Sequence, residues 1–106
     1  MRLALIFSTH EPETFFNGLR LGVFSLAVGD NVTVFLLGAA VELESIPSDA
    51  FTVQERAHTF LHDGGEILAC GSCLDHRGLG PSNLYHVSDL KALHDLIAEA
   101  DRVVSF

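Results

Sequence analysis

Short apolar runs and longer amphipathic stretches take turns along this chain. Residues 2–8 (Arg-Leu-Ala-Leu-Ile-Phe-Ser) are a short, mainly apolar run, as expected for a strand buried on both faces. Pro12 fits the first turn of a helix, with Glu11 and Glu13 well placed against the helix dipole. That helix is predicted to run to about Val28 and to stop at Gly29-Asp30. Residues 31–37 read as a second strand, closed by Gly38. Thr52 and Glu55 stand at capping-box spacing, which predicts a helix from there to His62 or Asp63, ended by Gly64-Gly65. Residues 67–70 read as a third strand, 84–87 as a short fourth and 102–106 as the last. A glycine-containing segment occupies 71–81, with one or two helical turns over Ser72 to Arg77. Ser88 is the expected cap of a final helix reaching about Ala100.

This alternation predicts an α/β fold, a parallel sheet with helices on both faces joined by right-handed crossovers. In such sheets ligand chemistry gathers at the carboxyl ends of the strands, and Cys70 falls at one of those ends. The first helix carries a second message. At 100° per residue, Phe15, Phe16, Leu19, Val23 and Leu26 form one apolar face, while Leu21, Phe24 and Val28 cluster nearly opposite. A helix apolar on two sides is covered on two sides, either by a neighbouring loop over Phe24 or by another subunit, and the second reading predicts a homo-oligomer built on this helix.

Composition narrows the class. The 106 residues amount to one domain, 1–106, and a chain of that size buries roughly two-thirds of its unfolded surface without needing a disulfide or a structural metal. A hydrophobic content of 48% excludes a disordered tail. The apolar stretch 32–41 is interrupted by Thr33 and Gly38 and falls short of the ~18 residues of a spanning helix, so no membrane partner is expected. The amino-terminal run leads straight into His10-Glu11-Pro12 without a signal-peptide cleavage pattern, which predicts a cytoplasmic protein. Six basic against fourteen acidic residues give a net charge of −8. That field repels phosphate backbones, and no Lys/Arg cluster overrides it, so nucleic acid is excluded as a direct partner. No glycine-rich phosphate loop is present, and no nucleotide or other organic cofactor is expected.

The chemistry concentrates in Cys70-Gly-Ser-Cys73-Leu-Asp-His-Arg77-Gly78. The thiolate is the reactive form of cysteine, and nearby amides and cations lower a thiol pKa. Cys70 closes a strand, the following turn aims its amides back at the sulfur, and Arg77 or His76 adds positive charge. Cys73 lies three residues on, within reach as a resolving thiol. Two buried cysteines acting as small hydrophobes is the plain alternative. The spacing fits a thioredoxin-type redox pair, but the thioredoxin layout of elements and its downstream proline loop are absent. Zinc would need two further ligands, and no second cysteine pair supplies them, which leaves His76 or another subunit's histidine. His58 and His62 share a helix face, a pattern more often solvated than metal-binding. His10 follows the first strand on the rim expected for Cys70, either polarising that thiol or simply standing in water. Glu42, Glu44 and Asp49 read as a solvated loop.

The whole chain resembles the DsrE/DsrF-like proteins of the sulfur-relay group, in their small single-domain subset. The resemblance is carried by the opening strand, the helix rich in Phe, Leu and Gly, the run Val34-Phe-Leu-Leu-Gly-Ala-Ala-Val41, the Cys70 to Gly78 motif and the terminal strand. It implies a three-layer α/β/α fold with a five-stranded, mainly parallel sheet, and assembly as a trimer or hexamer. It also implies that Cys70, seven residues before the Arg of Arg77-Gly78, accepts sulfane sulfur as a persulfide from a donor protein and hands it to an acceptor. Relay members mostly carry a small residue where this chain has Cys73, so the second thiol is a departure. Besides the carrier reading, a non-catalytic oligomeric binding module and a redox sensor with a reversible Cys70–Cys73 disulfide fit the same residues.

Overall fold

The computed structural model describes all residues, Met1–Phe106. The strands are β1 (Arg2–Phe7), β2 (Asn31–Leu36), β3 (Glu66–Cys70), β4 (His86–Ser88) and β5 (Arg102–Ser105). The helices are α1 (Pro12–Ala27), α2 (Val53–His62), α3 (Gly71–His76) and α4 (Leu90–Glu99), with a kinked 3₁₀ segment over Gly38–Ser45. The sheet order is β4-β3-β2-β1-β5, and all four pairings are parallel. The α/β expectation holds.

Alternation along each strand sorts the side chains into two layers. Leu3, Leu5 and Phe7 of β1, Val32, Val34 and Leu36 of β2, and Ile67 and Ala69 of β3 join Phe15, Leu19, Ala57 and Phe60 in the main core beneath α1 and α2. On the other face Phe35 and Cys70 pack with Leu93 of α4, flanked by Ile6, Leu68 and Leu96. The chain leaves β4 at one edge and returns as β5 at the other, and α4 makes that crossing alone. The second helical layer is therefore a single helix.

The expected apolar face of α1 does meet the core, with Phe15 and Leu19 buried in it and Phe16, Val23 and Leu26 half-buried against it, and Gly18, Gly22 and Ser25 are buried with them. The helix lies close to the sheet, so the centre of its contact takes glycine: a Cβ on Gly18 would sit 2.5 Å from Cζ of Phe7, and one on Gly22 2.8 Å from Cε1 of Phe60. Leu21, Phe24 and Val28 stay exposed on the outer side, with no neighbouring loop over Phe24. Three local expectations need correction. Thr52 precedes α2 but its side chain caps nothing. The last helix is capped by Asp89, whose carboxylate accepts from Ala92 N–H at 2.9 Å, because Ser88 is still the end of β4. Glu42 and Glu44 lie in the 3₁₀ segment instead of an open loop. No helix is long and apolar enough to cross a membrane.

Candidate functional site

The apolar run of β3 carries Cys70 to the carboxyl end of an inner strand, flanked by β2 and β4. Cys70 has extended backbone (φ −60°, ψ 117°), and the chain turns at once into α3. Gly71 makes that turn possible where β4 crowds it. A Cβ there would meet the Ser88 carbonyl oxygen at 3.2 Å and Val87 Cγ1 at 3.3 Å. The turn places the Ser72 hydroxyl 3.3 Å from Cys70 Sγ. Both cysteines are free, Cys70 buried and Cys73 half-buried between the two core layers.

The two thiols are pushed in opposite directions. Burial, the largest single influence on Cys70, raises its pKa, since apolar surroundings disfavour the thiolate. Against it act the Ser72 hydroxyl, the Cys73 thiol as donor, and the Cys73 and Ser72 amides, and together these bring Cys70 below the ordinary thiol value. The amides contribute by facing the sulfur, without closing a capping hydrogen bond. Cys73 is held above the ordinary value, first because its proton is engaged by Cys70 and second because it is itself partly buried. Two influences pull Cys73 back down, the Gly38 N–H, which donates to its Sγ at 3.3 Å, and the Arg77 charge.

Arg77 belongs to the Cys73 side of the site. Its Nε donates to Glu42 Oε2 at 3.0 Å and its Nη1 to the Cys73 carbonyl at 3.2 Å. Its charge acts on Cys73 and is not among the influences on Cys70. Glu42, read from the sequence as solvated, is thus half of a partly buried ion pair. His76 ends α3 exposed. His10 follows β1, two strands from β3, and is exposed with no hydrogen bond or ion pair to either cysteine. His58 and His62 lie on α2 without a third ligand, and nowhere do three His, Cys, Asp or Glu side chains converge as a metal site would require. The site residues missed in the sequence are Ser72, Gly38 and Glu42. Ser72 was legible from its place between the cysteines, whereas Gly38 and Glu42 are each thirty-five residues from their partners and gave no local signal.

A cleft of about 380 Å³ lies away from the cysteines. It lies at the amino ends of the strands, where Arg2, Asn31, Thr33 and Glu66 meet Asp95 and Glu99 of α4. The thiol pair has the perturbed groups and their donors, which makes it the candidate site in place of the cleft.

A similar protein, described only as uncharacterised, occurs in Methanopyrus kandleri. It is 29% identical over 100 residues, covering 89% of this chain and 83% of that protein. A conserved protein of unknown function from Bacteroides thetaiotaomicron has a solved structure that superposes with a TM-score of 0.82, at 23% identity, over 99% of this chain and 94% of that one, which speaks to the fold. The strand-end cysteine, the five-stranded parallel sheet and a family match running over residues 1–106 meet in one conclusion: this chain belongs to the DsrE/DsrF-like family.

Proposed function

We propose that the protein is a sulfur-relay carrier, a single domain that holds sulfane sulfur as a persulfide on Cys70 and passes it to an acceptor thiol. The observation that carries this reading is the Cys70 sulfur at the end of β3, buried yet held below the ordinary thiol pKa by the Ser72 hydroxyl and the Cys73 thiol. A thiolate is the attacking form in sulfur exchange. In loading, the Cys70 thiolate attacks the outer sulfur of a donor persulfide; the new S–S bond forms as the donor's breaks, and the donor leaves as a thiolate. In unloading, an acceptor thiolate repeats the step on the Cys70 persulfide. Neither transfer changes the overall oxidation state, and neither requires a cofactor.

We include in the site Cys73 and Arg77, whose Nη1 donates to the Cys73 carbonyl, and with them His10, which follows β1. The exposed stripe Leu21, Phe24 and Val28 on α1 supports a homo-oligomer, with a trimer or hexamer following from the family. Thiols of this kind persist reduced in the cytoplasm, which is the compartment we assign.

Intact-mass spectrometry tests the carrier reading. After exposure to a low-molecular-weight hydropersulfide, a Cys73→Ser chain should gain one sulfur atom, and peptide mapping should place it on Cys70. A Cys70→Ala chain should gain none. A Cys73→Ser chain that keeps its mass under these conditions, while folded, overturns the assignment.

A further inference from the structure

We propose that Cys73 is an internal acceptor, so that the protein reduces the sulfur it carries: Cys73 attacks the inner sulfur of a Cys70 persulfide, hydrosulfide leaves, and a Cys70–Cys73 disulfide closes until an external dithiol reopens it. This rests on the carrier reading above and adds to it a product and a co-substrate class.

The argument starts from what surrounds Cys73. A carrier that only passes sulfur outward has no chemical need for a second thiol, still less for one with its own donors. Here Cys73 Sγ receives the Gly38 N–H at 3.3 Å. That amide comes from a different element, the turn after β2, where Gly38 takes a φ of +52° that favours glycine. The Arg77 guanidinium is fixed beside Cys73 by the Cys73 carbonyl at 3.2 Å and Glu42 at 3.0 Å. A fixed amide and a fixed cation stabilise a thiolate on Cys73 at the moment it becomes a nucleophile. The charged and titratable groups acting on Cys73 are Cys70 and Arg77, with Glu42 behind the guanidinium.

The mutual influence of the two thiols favours an order of steps. In the resting protein the Cys73 proton is engaged by Cys70, and this is the chief reason Cys73 stays protonated. Loading moves the negative charge from Cys70 Sγ to the outer sulfur of the persulfide. The inner sulfur then no longer competes for the Cys73 proton, while Gly38 and Arg77 remain. Charging Cys70 therefore favours ionisation of Cys73, with the Gly38 amide at 3.3 Å in place to receive the charge. The balance closes. One hydropersulfide and two protein thiols give one thiol, one hydrogen sulfide and one disulfide; the sulfane sulfur gains two electrons and the two cysteines lose them. A dithiol reductant returns the protein to its starting state.

The experiment mixes the full chain with an equivalent of alkyl hydropersulfide, without reductant, and follows intact mass and free sulfide together. Wild type should release one sulfide per chain and end lighter by two hydrogens. Cys73→Ser should keep the extra sulfur and release sulfide only when an external thiol is added. Wild type that holds the extra sulfur as long as Cys73→Ser overturns the internal-acceptor proposal and leaves the carrier reading intact. Failure of both chains to take up sulfur overturns the carrier reading itself. Arg77→Gln should slow sulfide release several-fold relative to loading and move the release step to higher pH. An unchanged release profile in that variant removes Arg77 from the proposal.

Discussion

Replacing Gly18 with alanine puts one methyl group where α1 meets the sheet. The new Cβ would stand 2.5 Å from Phe7 Cζ and 3.1 Å from both Cε atoms. Relaxed carbon contacts lie at about 3.5–4.0 Å, so roughly an ångström must be found. The Phe7 ring has little room to give: Phe15 meets it edge-on at 4.8 Å and Phe106 at 5.2 Å, and Phe7 is fully buried. Overpacking of this kind costs about 1–3 kcal/mol. Alanine in a helix interior returns roughly 0.5–1 kcal/mol of backbone propensity. The net expectation is a loss of up to about 2.5 kcal/mol, centred on about 1 kcal/mol, which corresponds to roughly 4–8 °C in Tm for a domain of this length. Urea unfolding of Gly18→Ala, Phe7→Leu and the double variant measures it. The penalty should shrink in the Phe7→Leu background, because the flexible side chain yields where the ring does not. If Gly18→Ala alone stabilises the protein by the propensity increment, the close approach of α1 to Phe7 is wrong.

Three further outcomes follow from the site and its surroundings. Cys70 should alkylate with iodoacetamide at lower pH than Cys73 in peptide-resolved rate profiles, its thiolate appearing below the ordinary thiol range while Cys73 ionises above it; Ser72→Ala should shift the Cys70 profile upward, and a reversed order of the two cysteines refutes the electrostatic assignment. On the proposed homo-oligomer built on the exposed Phe24 stripe, Phe24→Asp should dissociate the assembly without unfolding the chain, since it would set an unpaired charge in the contact, and light scattering showing wild type already monomeric at micromolar concentration defeats this. Asp89→Ala should cost about 1 kcal/mol through the lost cap on α4, whereas Thr52→Ala should cost far less; equal losses in thermal unfolding contradict the capping assignment.

The order of elements and the place of Cys70 were legible because both are local. Period-two and 3.6-residue patterns, with glycines at the breaks, locate β1 to β3, α1 and α2 within a residue or two. Cys70 at a strand end follows from that placement alone. The errors have a common cause in contacts that sequence spacing does not encode. Gly18 and Gly22 look like weak points in a helix until the sheet is seen beneath them. Ser88 and Asp89 are both good caps, and only the pairing of Ser88 with Cys70 in the sheet decides between them. Glu42 becomes something other than a solvated acid only when Arg77 is folded against it.

The two thiols divide between them properties that normally go together. Reactivity and oxidative damage both rise with thiolate character and with exposure. In this chain the more ionised sulfur, Cys70, is the buried one, and the more open sulfur, Cys73, is held protonated. A small oxidant in solution therefore meets the less reactive thiol first, and the proposed carrier reading assigns the reactive one to a donor protein. The device depends on proximity, since each cysteine owes part of its state to the other. Replacing Cys73 with alanine removes a donor from Cys70 and should raise the Cys70 pKa, whereas serine retains a hydroxyl in its place. The two Cys73 variants should thus differ in the pH at which Cys70 takes up sulfur, with the alanine chain requiring the higher pH. Identical loading profiles would mean that Ser72 and the amides alone set the Cys70 thiolate.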